Sequence, residues 1–435
     1  MNNKFAVPRG TNDILPQHIP LWEALESKAR KIFKTFAYRE IRTPIYEETA
    51  LFKRSLGQTS DIVNKQLLEL ATEKEEGYAL RPEGTASIVR CYIENSMDGK
   101  ESLSKLFYIG PMFRGERPQK GRLRQFHQIG AEAIGPNSTS PYLDAEIIAL
   151  AMNLLEAFGV KGAKLKINSL GSKEDKAHIS QWLRGEFAKH KDELCPECQN
   201  RFERNVFRVL DCKNEACKKL VSLLVKDLPL SQESHAYFQS VQAALKNIGI
   251  AFEVSPYLVR GLDYYTHTVF EITAEGLGSQ DAVGAGGRYS GLVHELGGNE
   301  KIDYGAIGFA LGMERILLAR AEVASSVSSC DSYVIAMDAA YQSYAFSLVS
   351  QLRANGLSAD MSYAGGSIKS QMNKANKTGA HFALILGEEE IKHGTIAIKD
   401  MKLSTQETVD IRDIIDSIRK KLGHNSSVIA KERSD

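Results

Sequence analysis

The sequence predicts an α+β protein: a large domain organised around one long antiparallel hairpin, with a mainly helical insertion, followed by a small α/β domain. Three observations support this prediction. Two strand-like apolar segments flank a cationic, turn-rich loop between residues 106 and 134. A charged, helical, cysteine-bearing pattern fills residues 172–245, and strand and helix patterns alternate after a serine-rich stretch near residue 325.

The composition indicates a multidomain globular protein without a global charge bias. The chain has 435 residues, which suggests about three domains, and 55 Lys and Arg balance 54 Asp and Glu to a net charge of +1. Any nucleic-acid site must therefore be a local basic patch. No apolar run reaches transmembrane length and the first residues lack an apolar signal segment. We expect a cytoplasmic protein with no membrane partner.

The first hundred residues predict a helix, a strand and a sharp junction. Apolar residues recur at helical spacing over Leu21–Phe36, and Tyr38–Ile45 has an extended pattern up to Pro44. Further on, residues 80–85 end a short strand and open a helix, with Glu83 held between a proline and a glycine. A carboxylate at this position usually complements the helix dipole, so Glu83 alone does not indicate a binding site.

The hairpin is the strongest local signal. Its strands are predicted at Leu106–Phe113 and Phe126–Ile134. The eleven residues between positions 114 and 124 carry five cations and one carboxylate, Glu116. Arginine forks suit phosphate oxygens because they donate planar, bidentate hydrogen bonds. The alternative interpretation is a solvated basic loop.

The segment after the hairpin carries a candidate metal cluster. A helix is predicted at Asp144–Phe158 and a strand at Leu165–Leu170, before the helical insertion begins. Four of the six cysteines lie in this insertion: Cys195, Cys198, Cys212 and Cys217. Four thiolates could hold a tetrahedral zinc ion, but the second pair is spaced C-x4-C. The favoured expectation is reduced, unligated thiols with no metal.

Three further segments follow the insertion. Residues 258–265, LVRGLDYY, predict a strand and a turn with a salt bridge. The glycine-rich residues 283–289 favour a tight loop between strands, since a glycine run alone is weak evidence for phosphate binding. Residues 308–318 predict a strand that leads into a helix.

The C-terminal part is predicted to form a separate domain. A serine-rich linker is placed at residues 326–331, an α/β domain at 332–423 and a loose polar tail at 424–435. The predicted helix Ser367–Thr378 carries three lysines and no acid. This helix has either an ordinary solvated face or a surface that contacts phosphates.

Taken in order, these strings resemble the signature motifs of class II aminoacyl-tRNA synthetases, specifically those of the histidyl-tRNA synthetase family. Residues 37–44 resemble the first motif, Phe113–Glu116 with the basic loop the second, and residues 308–315 the third. The string LVRGLDYY distinguishes histidyl enzymes from other class II synthetases. The resemblance spans most of residues 5–420, and it departs from the family pattern at Gly115 and Leu123 in the loop.

The resemblance implies a class II antiparallel-sheet catalytic domain at residues 1–325 and a C-terminal anticodon-binding α/β domain, and it implies roles for particular residues. Those implied for catalysis are Arg114 and Arg260. Those implied for histidine are Glu83, Gly84, Thr85, Gln128, Glu132, Arg260, Tyr264 and Tyr265. Those implied for ATP are Arg114, Glu116, Arg122 and Arg315. Those implied for tRNA are Gln119, Lys120, Lys369 and Lys374.

The implied activity is the ligation of histidine to tRNA(His) through a histidyl-adenylate, by a homodimer. ATP with Mg²⁺ is the expected substrate complex, without a tightly bound organic cofactor, and the resemblance does not require a metal at the cysteine cluster. One alternative is the catalytically silent regulatory paralogue of an ATP phosphoribosyltransferase, but such paralogues typically lack the C-terminal domain. A synthetase for another amino acid is disfavoured by LVRGLDYY.

Overall fold

The computed structural model describes residues 5–57, 60, 62–71, 77–278, 281–320 and 330–423. The chain divides into two compact units, Met1–Glu322 and Val323–Asp435. The predicted tail, 424–435, and linker residues 326–329 lie outside the described residues. Cys330 and Asp331, which were also assigned to the linker, begin the first strand of the C-terminal unit.

The N-terminal unit combines strands and helices throughout its described residues. The strands are β1 (Arg39–Glu40), β2 (Tyr46–Glu48), β3 (Leu68–Leu70), β4 (Tyr78–Leu80), β5 (Ser104–Phe113), β6 (Gln125–Pro136), β7 (Lys164–Ser169), β8 (Glu253–Val254), β9 (Thr266–Thr273), β10 (Ala282–Arg288) and β11 (Tyr304–Gly312). The helices are α1 (Ile19–Thr35), α2 (Thr49–Leu56), α3 (Thr85–Glu94), α4 (Pro141–Ala157), α5 (Lys173–Ala188), α6 (Pro196–Arg204), α7 (Phe207–Leu210), α8 (Glu215–Leu224), α9 (Gln232–Asn247), α10 (Gly291–Glu295) and α11 (Met313–Ala319).

An eight-stranded sheet forms the framework of this unit. Its strand order is β1-β5-β6-β11-β10-β9-β7-β8, and the pairs from β5 to β7 are antiparallel. Only the edge strands β1 and β8 pair in parallel within the described residues. A smaller sheet has the order β2-β4-β3. The predicted α+β fold class, with an antiparallel sheet, is confirmed.

Alternation of side-chain size gives the two faces of the sheet different roles. Along β11, Ile307, Phe309 and Leu311 are buried in one hydrophobic core, which also contains apolar residues of α1 and α4. The residues between them, Gly308 and Ala310, have almost no side chain, and successive residues of a strand point to opposite faces. One face therefore packs a core while the other leaves space beside the central strands.

Residues 172–245 fold mainly as helices, from α5 to α9. Helix α5 begins with a capping box, because Ser172 accepts from the backbone N–H of Asp175 and Asp175 accepts from that of Ser172. Buried residues of α5, α7 and α8 share a hydrophobic core with residues of α3 and β5. The helical segment thus packs onto the same unit as the sheet.

Three local predictions were wrong. The strand expected over Tyr38–Ile45 is reduced to two residues, β1, which pair with Leu106 and Phe107 of β5, and Pro44 lacks the N–H donor that a longer ladder would use. The strand expected within residues 258–265 is absent, because these residues form a loop and a turn. The glycine-rich segment expected as a loop is the central strand β10, paired with both β9 and β11. Its glycines allow close approach of neighbouring groups: a Cβ on Gly286 would lie 2.2 Å from the carbonyl oxygen of Gly308.

The C-terminal unit is an α/β domain. Its strands are β12 (Cys330–Ala336), β13 (Ala359–Met361), β14 (Ala380–Leu386), β15 (Thr395–Asp400) and β16 (Gln406–Asp410). Its helices are α12 (Gln342–Ala354), α13 (Ile368–Lys377), α14 (Glu388–His393) and α15 (Ile414–Lys421). The sheet order is β13-β12-β14-β15-β16, parallel on one side of β14 and antiparallel on the other. No helix in the described parts of the chain is long and apolar enough to cross a membrane.

Candidate active site

A cavity of about 440 Å³ lies beside the glycine- and alanine-rich face of the large sheet. Most of the predicted substrate residues of the N-terminal unit line it, although they come from distant parts of the sequence. They are Glu83, Thr85, Arg114, Glu116, Arg122, Gln128, Arg260, Tyr264, Tyr265 and Arg315. A sheet face thus brings together three predicted motifs.

The remaining predicted residues lie elsewhere. Glu132 is only 1% exposed and lies behind the cavity wall. Gly84 packs against the ring of Tyr108, and a Cβ at this glycine would lie 2.5 Å from the ring. Gln119 and Lys120 are exposed at the tip of the hairpin, where Gln119 and Arg122 exchange backbone hydrogen bonds of 3.0 and 2.9 Å.

The two lysines predicted to contact tRNA belong to the C-terminal unit. Lys369 and Lys374 are exposed on α13. The ammonium group of Lys374 donates a 2.7 Å hydrogen bond to the hydroxyl of Ser362. The two lysines are five positions apart in the helix, so they lie about 140° apart around its axis and do not share one narrow stripe.

Two buried carboxylates are joined through Thr85. The backbone N–H of Thr85 donates to Glu83 at 2.7 Å, and its hydroxyl donates to Glu132 at 2.7 Å. The second oxygen of Glu132 accepts a 2.6 Å hydrogen bond from the hydroxyl of Tyr289. Glu83 also accepts from the backbone N–H of Ala86 at 2.9 Å, at the start of α3. The site therefore concentrates potential negative charge in a dry environment.

Burial changes the acidity of both groups. It raises the pKa of Glu132 to about 8, partly offset by the hydrogen bonds from Thr85 and Tyr289. Burial also raises the pKa of Glu83, against the effect of its two backbone donors. Space around Glu132 depends on Gly308, because a Cβ there would lie within 2.5 Å of the carboxylate. A bound cation would favour the charged forms of both acids.

Cationic groups occupy another part of the cavity. The guanidinium of Arg114 lies 5.1 Å from the ring centroid of Phe126, and its Nε donates to the carbonyl of Pro82 at 2.9 Å. Burial lowers the pKa of Arg114, against the pull of nearby Glu116. Arg122 lies 3.6 Å from Glu116, and burial together with the charge of Arg122 lowers the pKa of Arg315.

Two buried polar atoms in the cavity wall have no hydrogen-bond partner among the described residues. Arg260 donates from Nη1 to Glu271 at 2.8 Å, but its buried Nε has no hydrogen-bond partner among the described residues. The buried side-chain oxygen of Gln128 likewise has no partner within the described part of the chain. Buried polar groups are normally satisfied, so these two atoms indicate a ligand or ordered water.

Several wall residues were not predicted from the sequence. Arg208 and Asp211 reach the cavity from the helical insertion, and Glu314 from the first turn of α11. Glu314 accepts from the backbone N–H and the ring of His127 at 2.9 Å. The sequence offers one weak signal for this part of the cavity wall. Residues 206–211 form an apolar run that is interrupted by two charged residues.

The glycine-rich residues 283–289 form only part of the cavity wall. Residues 282–285 line the cavity, but Arg288 is completely buried and pairs with Asp144. The carboxylate of Asp144 also accepts from Thr268 and Tyr237, at 2.6 and 3.1 Å. Arg288 therefore ties β10 to α4, whereas its neighbour Tyr289 donates to the predicted site residue Glu132.

Two known protein families match this chain, one over most of the N-terminal unit and one over the C-terminal unit. A family described as "Histidyl-tRNA synthetase" matches residues 10–316, and a family described as "Anticodon binding domain" matches residues 331–421. The chain belongs to the histidyl-tRNA synthetase family. The resemblance recognised in the motifs is thereby confirmed.

Relatives within the histidyl-tRNA synthetase family match almost the whole chain. The histidine–tRNA ligase of Halothermothrix orenii is 44% identical over 421 residues, covering 95% of this chain and 98% of that protein. The ligase of Geobacillus sp. (strain WCH70) is 45% identical over 425 residues, covering 96% and 99%.

Solved structures agree with this placement. The apo histidyl-tRNA synthetase of S. aureus is 34% identical, with a TM-score of 0.78 over 96% of this chain and 100% of that chain. A Bacillus halodurans C protein, described as an ATP phosphoribosyltransferase regulatory subunit/histidyl-tRNA synthetase, is 20% identical. Its TM-score is 0.63 over 88% of this chain and 99% of that chain, which is a similarity of fold alone.

Proposed function

We propose that this chain is a histidine–tRNA ligase that activates L-histidine with ATP and transfers it to the 3′ end of tRNA(His). The observation that carries the proposal is the pair of buried carboxylates, Glu83 and Glu132, joined through Thr85. Such a pair fits a small ligand with a cationic ammonium group and a ring N–H donor, which histidine provides. The unpartnered oxygen of Gln128 supplies a further acceptor nearby.

The amino-acid roles follow from position. In this proposal Glu83, Thr85 and Gln128 bind the α-ammonium group, with Glu83 as its counter-ion, and Gly84 connects Glu83 to Thr85 while packing against Tyr108. Glu132 and the ring pair Tyr264 and Tyr265, whose centroids are 4.6 Å apart, enclose the imidazole. In the wild-type apo site Glu132 is hydrogen-bonded to Thr85 and Tyr289, so its remaining lone pairs would receive the ring N–H.

Arginine side chains perform the adenylation. One carboxylate oxygen of histidine attacks the α-phosphorus of ATP, the bond from that phosphorus to the bridging oxygen breaks, and pyrophosphate leaves. Negative charge develops on the phosphoryl oxygens, and Arg114 and Arg260 are fixed cations that stabilise it without reorganisation. ATP would enter as its complex with Mg²⁺, which would offset part of the negative charge of the phosphates.

In this proposal the β- and γ-phosphates of ATP contact the other charged residues of the cavity wall. Arg315 and Arg122 are positioned for the outer phosphates, and Glu116 holds Arg122 through their 3.6 Å ion pair. Exposed Gln119 and Lys120 at the hairpin tip suit the acceptor end of tRNA. In the second step a terminal ribose hydroxyl attacks the carbonyl carbon of the adenylate, and AMP leaves.

The partners in this proposal are tRNA and a second copy of the chain. Lys369 and Lys374 on α13 would contact phosphates in the anticodon region. The dimer would use the first-motif segment, in which Arg39 is 62% and Arg42 78% exposed, together with exposed Ile45 and Tyr46. Sedimentation should give twice the chain mass. We place the enzyme in the cytoplasm, where its tRNA and ATP are found.

The regulatory paralogue is the weaker candidate. The chain carries a C-terminal unit that matches an anticodon-binding family, and its relatives named as ligases are aligned over almost their whole length. The cavity is also lined by Arg114, Arg260 and Glu83, and Glu132 lies directly behind its wall. Each of these features is needed for aminoacylation and is superfluous in a subunit without catalysis.

ATP–pyrophosphate exchange, measured with each of the twenty amino acids in turn, tests the proposal. We expect exchange with histidine alone, followed by transfer of histidine to tRNA(His) when that tRNA is added. Exchange with another amino acid would assign a different synthetase. No exchange with any amino acid, from protein that is folded and binds ATP, would favour the paralogue.

A further inference from the structure

A cysteine cluster lies in the helical insertion, outside the roles assigned above. The Sγ atoms of its four members lie within 4.8 Å of one another, and three of the four residues are buried. Cys195 and Cys212, from the two separate sequence pairs, have Sγ atoms 3.8 Å apart. The edge of a tetrahedron with Zn–S bonds of about 2.3 Å is also about 3.8 Å, so the cluster needs little movement to hold such an ion.

Three of the four cysteines lie at the beginning of a helix, and Cys212 lies in the turn before α8. Cys195 is the N-cap of α6 and Cys198 lies in its first turn, while Cys217 lies in the first turn of α8. Asn214 caps α8 by accepting from the backbone N–H groups of Ala216 and Cys217, at 3.0 and 3.3 Å. Two positive helix ends thus face the cluster, and they stabilise thiolates better than thiols.

Backbone donors approach the sulfur atoms directly. The N–H of Cys195 points at the Sγ of Cys217 at 3.2 Å, and that of Asn214 points at the Sγ of Cys212 at 3.4 Å. Hydrogen bonds of this kind orient metal-bound thiolates and disperse their charge. The bond from Cys195 to Cys217 connects residues 195–198 to α8, so the two cysteine pairs are already held close together.

The surrounding helices need such a connection. Helices α6, α7 and α8 contain nine, four and ten residues. Isolated helices shorter than roughly 12–15 residues are marginal in water. We propose that Cys195, Cys198, Cys212 and Cys217 bind one structural Zn²⁺ ion, which joins α6 to α8 and fixes the cavity-lining segment between them. This replaces the expectation of unligated thiols.

The segment between the two cysteine pairs forms part of the candidate active site. Arg208 and Asp211 line the cavity, and Cys212 follows Asp211 directly. Asn205 donates a 2.9 Å hydrogen bond to Asp263 in the loop that carries Arg260 and Tyr264. The bound ion would hold this wall in place without contacting any substrate.

Metal content of the full-length protein tests the inference. The chain should be purified without a metal-binding tag, without chelator and under reducing conditions, and zinc then measured by mass spectrometry. We expect about one zinc ion per chain, and a Co²⁺-substituted sample with the thiolate charge-transfer band of a tetrahedral site. A zinc content near zero that persists after incubation with equimolar Zn²⁺ would overturn the proposal.

Two variants and one control complete the test. Cys195→Ser and Cys212→Ser should each lose the ion, whereas Cys91→Ser on α3 should keep it. If the variants fail to fold, titration of the wild-type protein with a mercurial reagent replaces them: zinc release should parallel modification of four thiols. The proposed zinc site would be contradicted if modification of the thiols released no zinc. It would also be contradicted if these cysteines were found in disulfide bonds in protein purified under reducing conditions.

Amide hydrogen exchange distinguishes an ion that stabilises the insertion from an ion that binds without stabilising it. In wild-type protein, removal of the ion should increase amide exchange most in residues 205–212, with little change in the central strands β6 and β11. This readout does not depend on the proposed enzymatic activity. Equal exchange with and without the ion would show that the ion does not hold this wall.

Discussion

The two walls of the cavity are built in different ways. Gln128 and the backbone around Glu132 belong to β6, which is paired along its length with β5 on one side and β11 on the other. Arg208 and Asp211 come from a four-residue helix and the turn after it, held by neighbouring short helices. One wall is thus fixed by two ladders of hydrogen bonds and the other by local packing.

This difference indicates a division of labour. Residues on paired strands can be held accurately enough for chemistry, whereas a wall of short elements can adjust more easily when a large substrate enters. We therefore expect substitutions on the sheet side to affect the reaction rate or histidine binding strongly. Substitutions on the insertion side should have smaller effects, spread over several kinetic parameters.

The largest effect is expected for Arg260→Ala, at a loop residue that an ion pair with Glu271 holds against β9 of the sheet wall. The loss of a fixed cation at the reacting phosphate should lower the rate of histidine-dependent pyrophosphate exchange by about 10²–10³-fold, with a smaller change in the KM for histidine. Arg412→Ala, at a residue 85% exposed in the C-terminal unit, is the control and should exchange normally. An unchanged rate in Arg260→Ala would remove Arg260 from the proposed mechanism.

Glu132→Gln should weaken histidine binding by roughly 10–100-fold, because the carboxylate form of Glu132, which a bound cationic ligand favours, is replaced by a neutral amide. Glu94→Gln, at a side chain 65% exposed on α3, is the matched control. Equilibrium dialysis with radiolabelled histidine measures both variants. Equal affinities would contradict the role assigned to Glu132.

The same variant has a pH signature in the absence of ligand. Burial raises the pKa of Glu132 to about 8 in the folded protein, so folding favours its neutral form. This contribution to stability is complete below the unfolded pKa, about 4.5, and is lost as pH rises through about 8. The Tm of wild type relative to Glu132→Gln should therefore fall between pH 5 and 8. A constant difference in Tm would contradict the shifted pKa.

Arg208→Ala tests the insertion wall. We expect kcat/KM for pyrophosphate exchange to fall by about tenfold or less, because the residue shapes the cavity beside Arg260 and does not face the sheet. Arg204→Ala, at an exposed residue of α6, is the control from the same segment. A loss as large as that of Arg260→Ala would show that both walls take part equally in the reaction.

The smallest effects are expected in the C-terminal unit. Lys369→Ala and Lys374→Ala should each raise the KM for tRNA a few-fold and reduce the slope of log affinity against log salt by about 1. Pyrophosphate exchange without tRNA should not change. Lys402→Ala, on an exposed turn of the same unit, should leave tRNA binding unaltered. An unchanged salt slope in both variants would exclude phosphate contacts by α13.

The sequence predicted those parts of the site in which spacing along the chain reflects geometry. The hairpin was recognisable because two apolar segments flank a turn-rich loop, and its strands β5 and β6 lie within two residues of the expected bounds. The glycine-rich strand β10 was missed because glycine carries no periodic side-chain pattern. Its structure is determined by antiparallel pairing with β9 and β11, the strands before and after it in the chain.

The insertion shows a different limit. Its helical character could be inferred from charge and periodicity, but the contribution of Arg208 and Asp211 to the cavity depends on how short helices pack against a distant loop. Likewise, C-x2-C and C-x4-C spacings could not establish that all four Sγ atoms converge. Tertiary contacts between remote segments decide both questions, and local sequence patterns do not contain them.

The glycines around Tyr108 have a consequence for the motion of the site. A Cβ on Gly84 would lie 2.7 Å from Cε2 of this ring, and one on Gly130 would lie 2.6 Å from Cε1. A side chain at either position would collide with the tyrosine, so the two glycines leave the ring closely confined between the N-terminus of α3 and β6. We expect slow ring flips, visible as separate NMR signals for the two edges. Substrates would meet a surface whose dimensions are set by the main chain and do not fluctuate with side-chain rotamers.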